Sequence, residues 1–228
     1  MISVIIPTRN EEKYLPRLFE SLKNQTYKDF EVIVADASST DGTVKIAQDF
    51  AAQVVTGGMP AVGRNNGAKV ARGETFLFLD ADVLLAPDFL EKAVKELDER
   101  SADFGTPFME PINHDLANKI SHAIGNFPYY FSVTTPGFCI LIRAELFKKV
   151  GGFDESVKVM EDLKFGQEAA KLGKFVVLKS VKILVSDRRM KRDGWFITSI
   201  RTVLIVTYVK LFGFPKHNLF GYQFKDYQ

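Results

Sequence analysis

Residues 75–82 read TFLFLDAD: a threonine, four consecutive apolar side chains, and then two aspartates one residue apart. A short apolar run of this kind, ended by polar residues, is the pattern of a strand buried on both faces. Asp80 and Asp82 leave that strand together at its carboxyl end. Two carboxylates so close repel unless a cation joins them. A hard divalent ion such as Mg²⁺ or Mn²⁺ suits their oxygens and can bridge them to a diphosphate. Asp82 is the expected direct ligand, and Asp80 is expected to reach metal through water or to hold a ribose. A solvated turn that caps a helix is the plainer alternative.

Working outward, the first half alternates strand and helix signals. Residues 2–6, 32–35 and 54–55 read as strands. Residues 11–24 carry Tyr14, Leu15, Leu18, Phe19 and Leu22 at helical spacing. Thr40 or Asp41 is expected to cap a helix that runs to Phe50. Residues 60–71 read as helical, and 87–100 as an amphipathic helix opened by Pro87. Such alternation implies parallel strands joined by crossovers, and ligands of such sheets bind at the carboxyl ends of the strands. The polar residues gathered there are Pro7, Thr8, Arg9, Asn10 and Glu11, then Asp36 to Ser39, then Asp80, Ala81 and Asp82.

The second half is less regular. Residues 104–109 and 138–142 read as strands, with a helix near 115–131 between them. Residues 144–150 read as a short helix closed by Gly151 and Gly152, and 163–172 as a helix stopped by Gly173. Residues 175–178 and 181–185 read as two short strands.

The 228 residues are 46% hydrophobic and 25% charged, ordinary for a folded soluble protein, with a net charge of +2 that does not suggest a nucleic-acid binder. The single cysteine, Cys139, excludes an internal disulfide and reads as a packed core thiol. The first residues reach Pro7 without a basic region, which reads as a strand and not a signal peptide. No uncharged apolar stretch is long enough for a membrane span; the nearest, residues 195–214, is broken by Arg201 and Lys210. A cytoplasmic protein is expected.

Three further places carry chemistry. Asp36 ends the second strand and can accept hydrogen bonds from a base or ribose, or simply cap the turn. Arg64, after Gly63 in GRNNG, can pair with a phosphate or lie on a helix surface. Glu161 and Asp162 precede a helix, where the macrodipole favours carboxylates; one that faced a cleft could serve as a general base. A phosphatase-like Asp-x-Asp fits poorly, because its nucleophile belongs on the first strand and Leu84 stands where that pattern wants threonine or valine.

The order of these motifs is more specific than any of them. VIIPTRNEE (4–12), VADASSTDGT (34–43), GRNNG (63–67), the Asp-x-Asp strand, RAELFKKVGGFD (143–154) and Glu161-Asp162 together resemble the family-two glycosyltransferases, over roughly residues 1–175. The resemblance implies the GT-A fold, a Rossmann-like, mostly parallel α/β sheet flanked by helices, with a C-terminal amphipathic helical tail. It implies a domain over 1–190, its 1–110 half binding a nucleotide-sugar and its 111–190 half serving the acceptor and catalysis. It implies that Pro7, Thr8, Arg9, Glu11, Asp36, Gly63, Arg64, Asp80 and Ala81 serve the donor, a UDP- or GDP-sugar. Asp80 and Asp82 would hold Mn²⁺ or Mg²⁺, and Asp162 would be the base of an inverting displacement. Many members carry a histidine on the strand after Glu-Asp; residues 185–189 read VSDRR, without one, and Asp187 is the substitute candidate. No Gln-x-x-Arg-Trp signature of a processive synthase is found, so addition of a single sugar is expected.

The tail, 191–228, is basic and greasy. Trp195, Phe196, Ile197, Ile200, Val203, Leu204, Val206 and Leu211 stand among basic residues, which predicts a peripheral membrane contact, a helix packed over the domain or a homodimer contact. Glu161, Arg188 and Arg189 are assigned to the acceptor side, the arginines as a clamp for an acceptor phosphate. Two other classes compete. A sugar nucleotidyltransferase would open with a glycine-rich loop after the first strand, and none is present; a non-catalytic nucleotide-binding module would need no base at Asp162. No Gly-x-Gly-x-x-Gly supports a dinucleotide oxidoreductase.

Overall fold

A computed structural model describes residues 1–113, 116–217 and 219; the side chains of residues 116, 117, 120, 121, 189, 190, 195, 196 and 199 lie outside that description. One sheet organises these residues, with strand order β3-β2-β1-β4-β7-β6-β8-β5. Its first half is the expected parallel unit: β1 (Ile2–Thr8), β2 (Phe30–Asp36), β3 (Gln53–Thr56) and β4 (Thr75–Leu79) all run the same way. Every residue of β4 is buried, which is why TFLFL carries no alternation.

Helices α1 (Leu15–Lys23), α2 (Thr43–Asp49) and α3 (Pro60–Val70) connect these strands, and α4 (Phe89–Glu99) follows them. α1 begins four residues later than the periodicity suggested. Pro16 fits only a first turn, and Glu11 to Tyr14 form a separate turn in which the Glu11 carbonyl accepts Tyr14 and Leu15 N–H. α2 likewise starts at Thr43, with the Asp41 carboxylate taking the Thr43 N–H just outside it. Pro87 lies before α4 rather than in it, its carbonyl accepting the Thr26 N–H at 2.7 Å.

The second half extends the sheet with β5 (Val83–Leu85), β6 (Phe104–Pro111), β7 (Cys139–Arg143) and β8 (Phe175–Val185). β7 runs antiparallel to both β4 and β6, while β6 and β8 are parallel. α5 (Leu116–Asn126), a 3-10 turn (Phe127–Tyr130), α6 (Ala144–Val150) and α7 (Glu161–Ala169) surround them. Cys139 is fully buried, as read from the sequence.

Two differences have physical causes. β5 escaped the sequence reading because three residues show no period; it exists by pairing antiparallel with β8, Val83 opposite Val185. Residues 175–178 and 181–185 are one strand, not two. The register against β6 jumps between Pro107 and Phe108, and the looped-out Lys179 and Ser180 N–H groups donate to the Glu96 carboxylate of α4 at 2.8–3.0 Å. A bulge whose donors are satisfied from outside the sheet keeps the strand continuous.

After β8, α8 (Arg188–Asp193) and α9 (Trp195–Phe212) are separated by Gly194 at φ +82°. Among the described residues no helix is long and apolar enough to cross a membrane.

Candidate active site

The parallel half of the sheet brings its carboxyl-end loops together, with Thr8 in register with Asp36. The first two loops are laced to each other. Asn10, at φ +54°, donates its N–H to Ser39 Oγ at 2.8 Å, and its side-chain oxygen accepts the Thr40 N–H. Asp36 accepts Ser39 Oγ at 2.5 Å and Ser39 N–H at 2.9 Å, with Thr8 Oγ1 3.3 Å away. Its carboxylate therefore shapes this turn. Arg9 is exposed, whereas Thr8 and Glu11 are buried.

α3 lies close on the sheet because it carries glycines. A Cβ on Gly67 would stand 2.4 Å from Ile5 Cγ2, and one on Gly63 3.2 Å from Pro7 Cβ. Gly63 is thus a packing contact between helix and sheet, not a surface open to a ligand. That close approach sinks the next residue, Arg64, to 3% exposure. Arg64 is neither on a helix surface nor at a solvent-facing phosphate position. Nη1 donates to Glu161 Oε1 at 2.7 Å and Nη2 to Asp80 Oδ1 at 3.3 Å and to the Gly137 carbonyl at 3.2 Å, and the guanidinium lies over the Phe153 ring.

This pairing joins the Asp-x-Asp turn to the start of α7. Glu161 and Asp162 are the first residues of α7, after Met160 in the left-handed region at φ +60°. Glu161, assigned from the sequence to the acceptor side, is buried and paired with Arg64. Asp162 Oδ2 accepts the Gly137 N–H at 2.5 Å and Oδ1 accepts its neighbour Leu163's N–H at 2.8 Å, while its carbonyl accepts Thr135 Oγ1. Burial pushes the Asp162 carboxyl up to about 7, with the Glu161 charge adding to it and Arg64 and the two N–H donors opposing it.

The loop before β7 is the part that sequence reasoning missed. Thr135 and Gly137 hold Asp162 from the opposite side of the site, and a Cβ on Gly137 would stand 2.3 Å from Arg64 Nη2. The Pro136-Gly137 pair is a turn signal that could have drawn notice, although nothing local links it to residue 162.

Asp80 is half-exposed and Ala81 is buried in the core, so Ala81 presents no side chain to the surface. Asp82 is 2.9 Å from Arg188 Nε. Arg188 also grips Glu11 with both Nη atoms, at 2.7 and 2.9 Å, and lies over the Tyr14 ring. Burial raises the Glu11 carboxyl against the pull of Arg188. Arg188, assigned from the sequence to the acceptor, is therefore bound to the first-strand loop and the Asp-x-Asp turn; the side chain of Arg189 lies outside the described residues. Asp187 turns its carboxylate to Asn113, Asn118 and Lys191.

Among the described residues no group of three or more His, Cys, Asp or Glu could hold a metal ion by itself. Asp80 and Asp82 nevertheless fit a hard cation of the kind that takes one or two carboxylates from protein and further oxygens from a substrate phosphate. The local charge favours one: Glu11, Asp80, Asp82, Glu161 and Asp162 are five acidic groups around the two guanidiniums of Arg64 and Arg188.

Residues 3–151, well over half of the chain, match the model of Glycosyl transferase family 2. The chain belongs to this family. Among curated family relatives, glycosyltransferase GlyG of Streptococcus pneumoniae serotype 4 is 30% identical over 191 residues, 78% of this chain and 56% of GlyG. The crystal structure of S. aureus TarS in complex with UDP superposes with a TM-score of 0.65 at 26% identity, over 81% of this chain and 60% of that one. The mannosyltransferase PcManGT from Pyrobaculum calidifontis, in complex with GDP-Man and Mn²⁺, gives a TM-score of 0.71 over 94% of this chain and 65% of its own; at 22% identity that likeness speaks to the fold alone. The fold is the GT-A arrangement that the sequence resemblance implied. The chain spans about three fifths of the length of the curated relatives it matches.

Proposed function

We propose that this family member is a nucleotide-sugar glycosyltransferase that adds one sugar with inversion to an acceptor hydroxyl, using Asp162 as its base. The observation that carries this reading is the linkage Asp80–Arg64–Glu161, with Asp82 and Asp162 beside its two ends. It sets a carboxylate pair suited to a metal diphosphate near Asp162, a half-buried carboxylate next to Glu161 whose affinity for a proton is raised to the range a base needs at neutral pH. UDP in the TarS complex supports a nucleoside diphosphate donor.

In this reading residues 1–110 form the donor half, and Pro7, Thr8, Arg9, Glu11 and Asp36 border the nucleotide. Asp80 and Asp82 hold Mn²⁺ or Mg²⁺, which when bound offsets negative charge on the departing diphosphate. Residues 111–190 form the acceptor half. Asp162 accepts the hydroxyl proton as the oxygen attacks the anomeric carbon, and the Gly137 and Leu163 N–H groups keep its carboxylate fixed. Arg64 balances the acidic site from below without meeting solvent. The helices α8 and α9 form a peripheral contact with an anionic membrane. Exposed Ile197, Val203, Leu211 and Phe212 on α9, beside the basic α8, support that contact. Vesicle sedimentation tests it; absence of pelleting at low salt would overturn it.

Calorimetric titration of UDP, GDP and dTDP, each with and without Mn²⁺, tests the donor site. Metal-dependent binding of one nucleotide is expected. Free nucleoside diphosphate as product would separate glycosyl transfer from nucleotidyl transfer, which releases pyrophosphate. No binding of any nucleotide by the folded protein would overturn the reading.

A further inference from the structure

Arg188 opens α8, just after β8, and touches two parts of the site. Its two Nη atoms form a fork on Glu11, and its face lies over Tyr14 with the guanidinium carbon 4.7 Å from the ring centroid. Its Nε lies 2.9 Å from Asp82 Oδ2 as an ion pair. A bidentate guanidinium–carboxylate pair is stronger and more geometrically defined than one N–H bond, and the cation–π contact adds to the same side. Arg188 thus grips Glu11 with its fork and meets Asp82 through Nε. The sheet register determines this meeting: Val83 pairs with Val185, and the Ser186 N–H donates to the Asp82 carbonyl, which brings Arg188 beside the Asp-x-Asp turn.

We propose that Arg188 is a built-in counter-cation of the Asp80–Asp82 pair, which competes with a divalent cation for Asp82 and releases that carboxylate, while keeping Glu11, when a metal nucleoside diphosphate binds. A guanidinium 2.9 Å from a carboxylate oxygen repels a second cation on the same group. The energetic consequence is a site that binds bare metal weakly and metal with diphosphate well, because the diphosphate charge offers the released Nε edge a new partner. This inference deepens the donor-site reading above and rests on it.

The test is calorimetry with MnCl₂ alone, then with UDP or GDP in the presence of Mn²⁺, on the full chain and on three variants. Arg188→Met is expected to bind Mn²⁺ alone at least about tenfold more tightly than the unaltered chain, a change of ~1.4 kcal/mol. Arg188→Lys, which keeps the charge, is expected to restore weak Mn²⁺ binding. Removing Arg188 leaves Glu11 buried without its partner and endangers folding. The pair Glu11→Gln with Arg188→Met avoids that and is expected to show the same tightening. A merely structural Arg188 would give looser, not tighter, metal binding when removed. Unchanged or weaker Mn²⁺ affinity in both Met-containing variants, with the metal nucleotide still binding the unaltered chain, would overturn this inference alone. Failure of every nucleotide to bind the unaltered chain would instead remove the donor-site reading on which it rests.

Discussion

Arg64 Nη1 and Glu161 Oε1 meet at 2.7 Å, both side chains almost wholly buried, across 97 residues of sequence. A buried ion pair of this kind costs desolvation that its own attraction roughly repays, so its value here is positional. It holds the residue beside Asp162 against the helix that flanks the Asp-x-Asp strand. It adds a buried polar tie between α3 and α7 to the sheet pairing that already joins the two parts of the chain.

If Asp162 is the base, removing its charge should leave donor binding alone. Asp162→Asn is expected to bind nucleotide within about twofold of the unaltered chain, while turnover falls by at least about a hundredfold, the usual scale of a general base. Turnover near the original value would take Asp162 out of this role.

The raised Asp162 carboxyl has two pH consequences. Activity needs the ionised form, so turnover is expected to rise through about pH 7. Stability runs the other way. The folded chain holds this proton up to about 7, whereas the unfolded chain releases it near about 4. Between those values the native state binds more protons, and stability falls as pH rises. Thermal melts from pH 4 to 8 should show Asp162→Asn gaining on the unaltered chain as pH rises. A pH-independent difference would mean that the carboxyl titrates in its ordinary range.

Asp82→Ala is expected to abolish the dependence of nucleotide binding on Mn²⁺. Calorimetry with and without the metal measures this, and a persisting dependence would locate the metal elsewhere.

Gly137→Ala introduces a methyl 2.3 Å from Arg64 Nη2 and 3.1 Å from Asp162 Oδ2. Overpacking of this kind costs about 1–3 kcal/mol. Turnover is expected to fall further than the melting temperature implies, because the methyl displaces both the ion pair and the base. Comparison with Glu96→Gln, which loosens the β8 bulge far from Arg64 and Asp162, separates the effects: that variant should lose stability with nucleotide affinity unchanged. Unaltered turnover in the folded Gly137→Ala chain would show that the loop does not position Asp162.

Much of this protein was legible in the chain alone. The parallel half announced itself because strands buried on both faces are continuous apolar runs and amphipathic helices repeat at 3.6 residues. The positions of Asp36, Asp80 and Asp82 at strand ends followed from that, since a strand's carboxyl end is a local property. β5 and the β8 bulge did not, because Val83 pairs with the distant Val185 and the bulge is held by the Glu96 side chain 83 residues away, and a three-residue strand has no period. The fate of each charged side chain was decided by the tertiary structure. Arg64 reads as a phosphate partner or a surface arginine until Gly63 and Gly67 let α3 sink it into the core. Arg188 reads as an acceptor clamp until the β5–β8 pairing carries it to Asp82. Sequence determines which groups leave each strand end; which of them meet, and which lose their water, depends on packing between elements distant in the chain, and desolvation and pairing are what give a charge its chemistry.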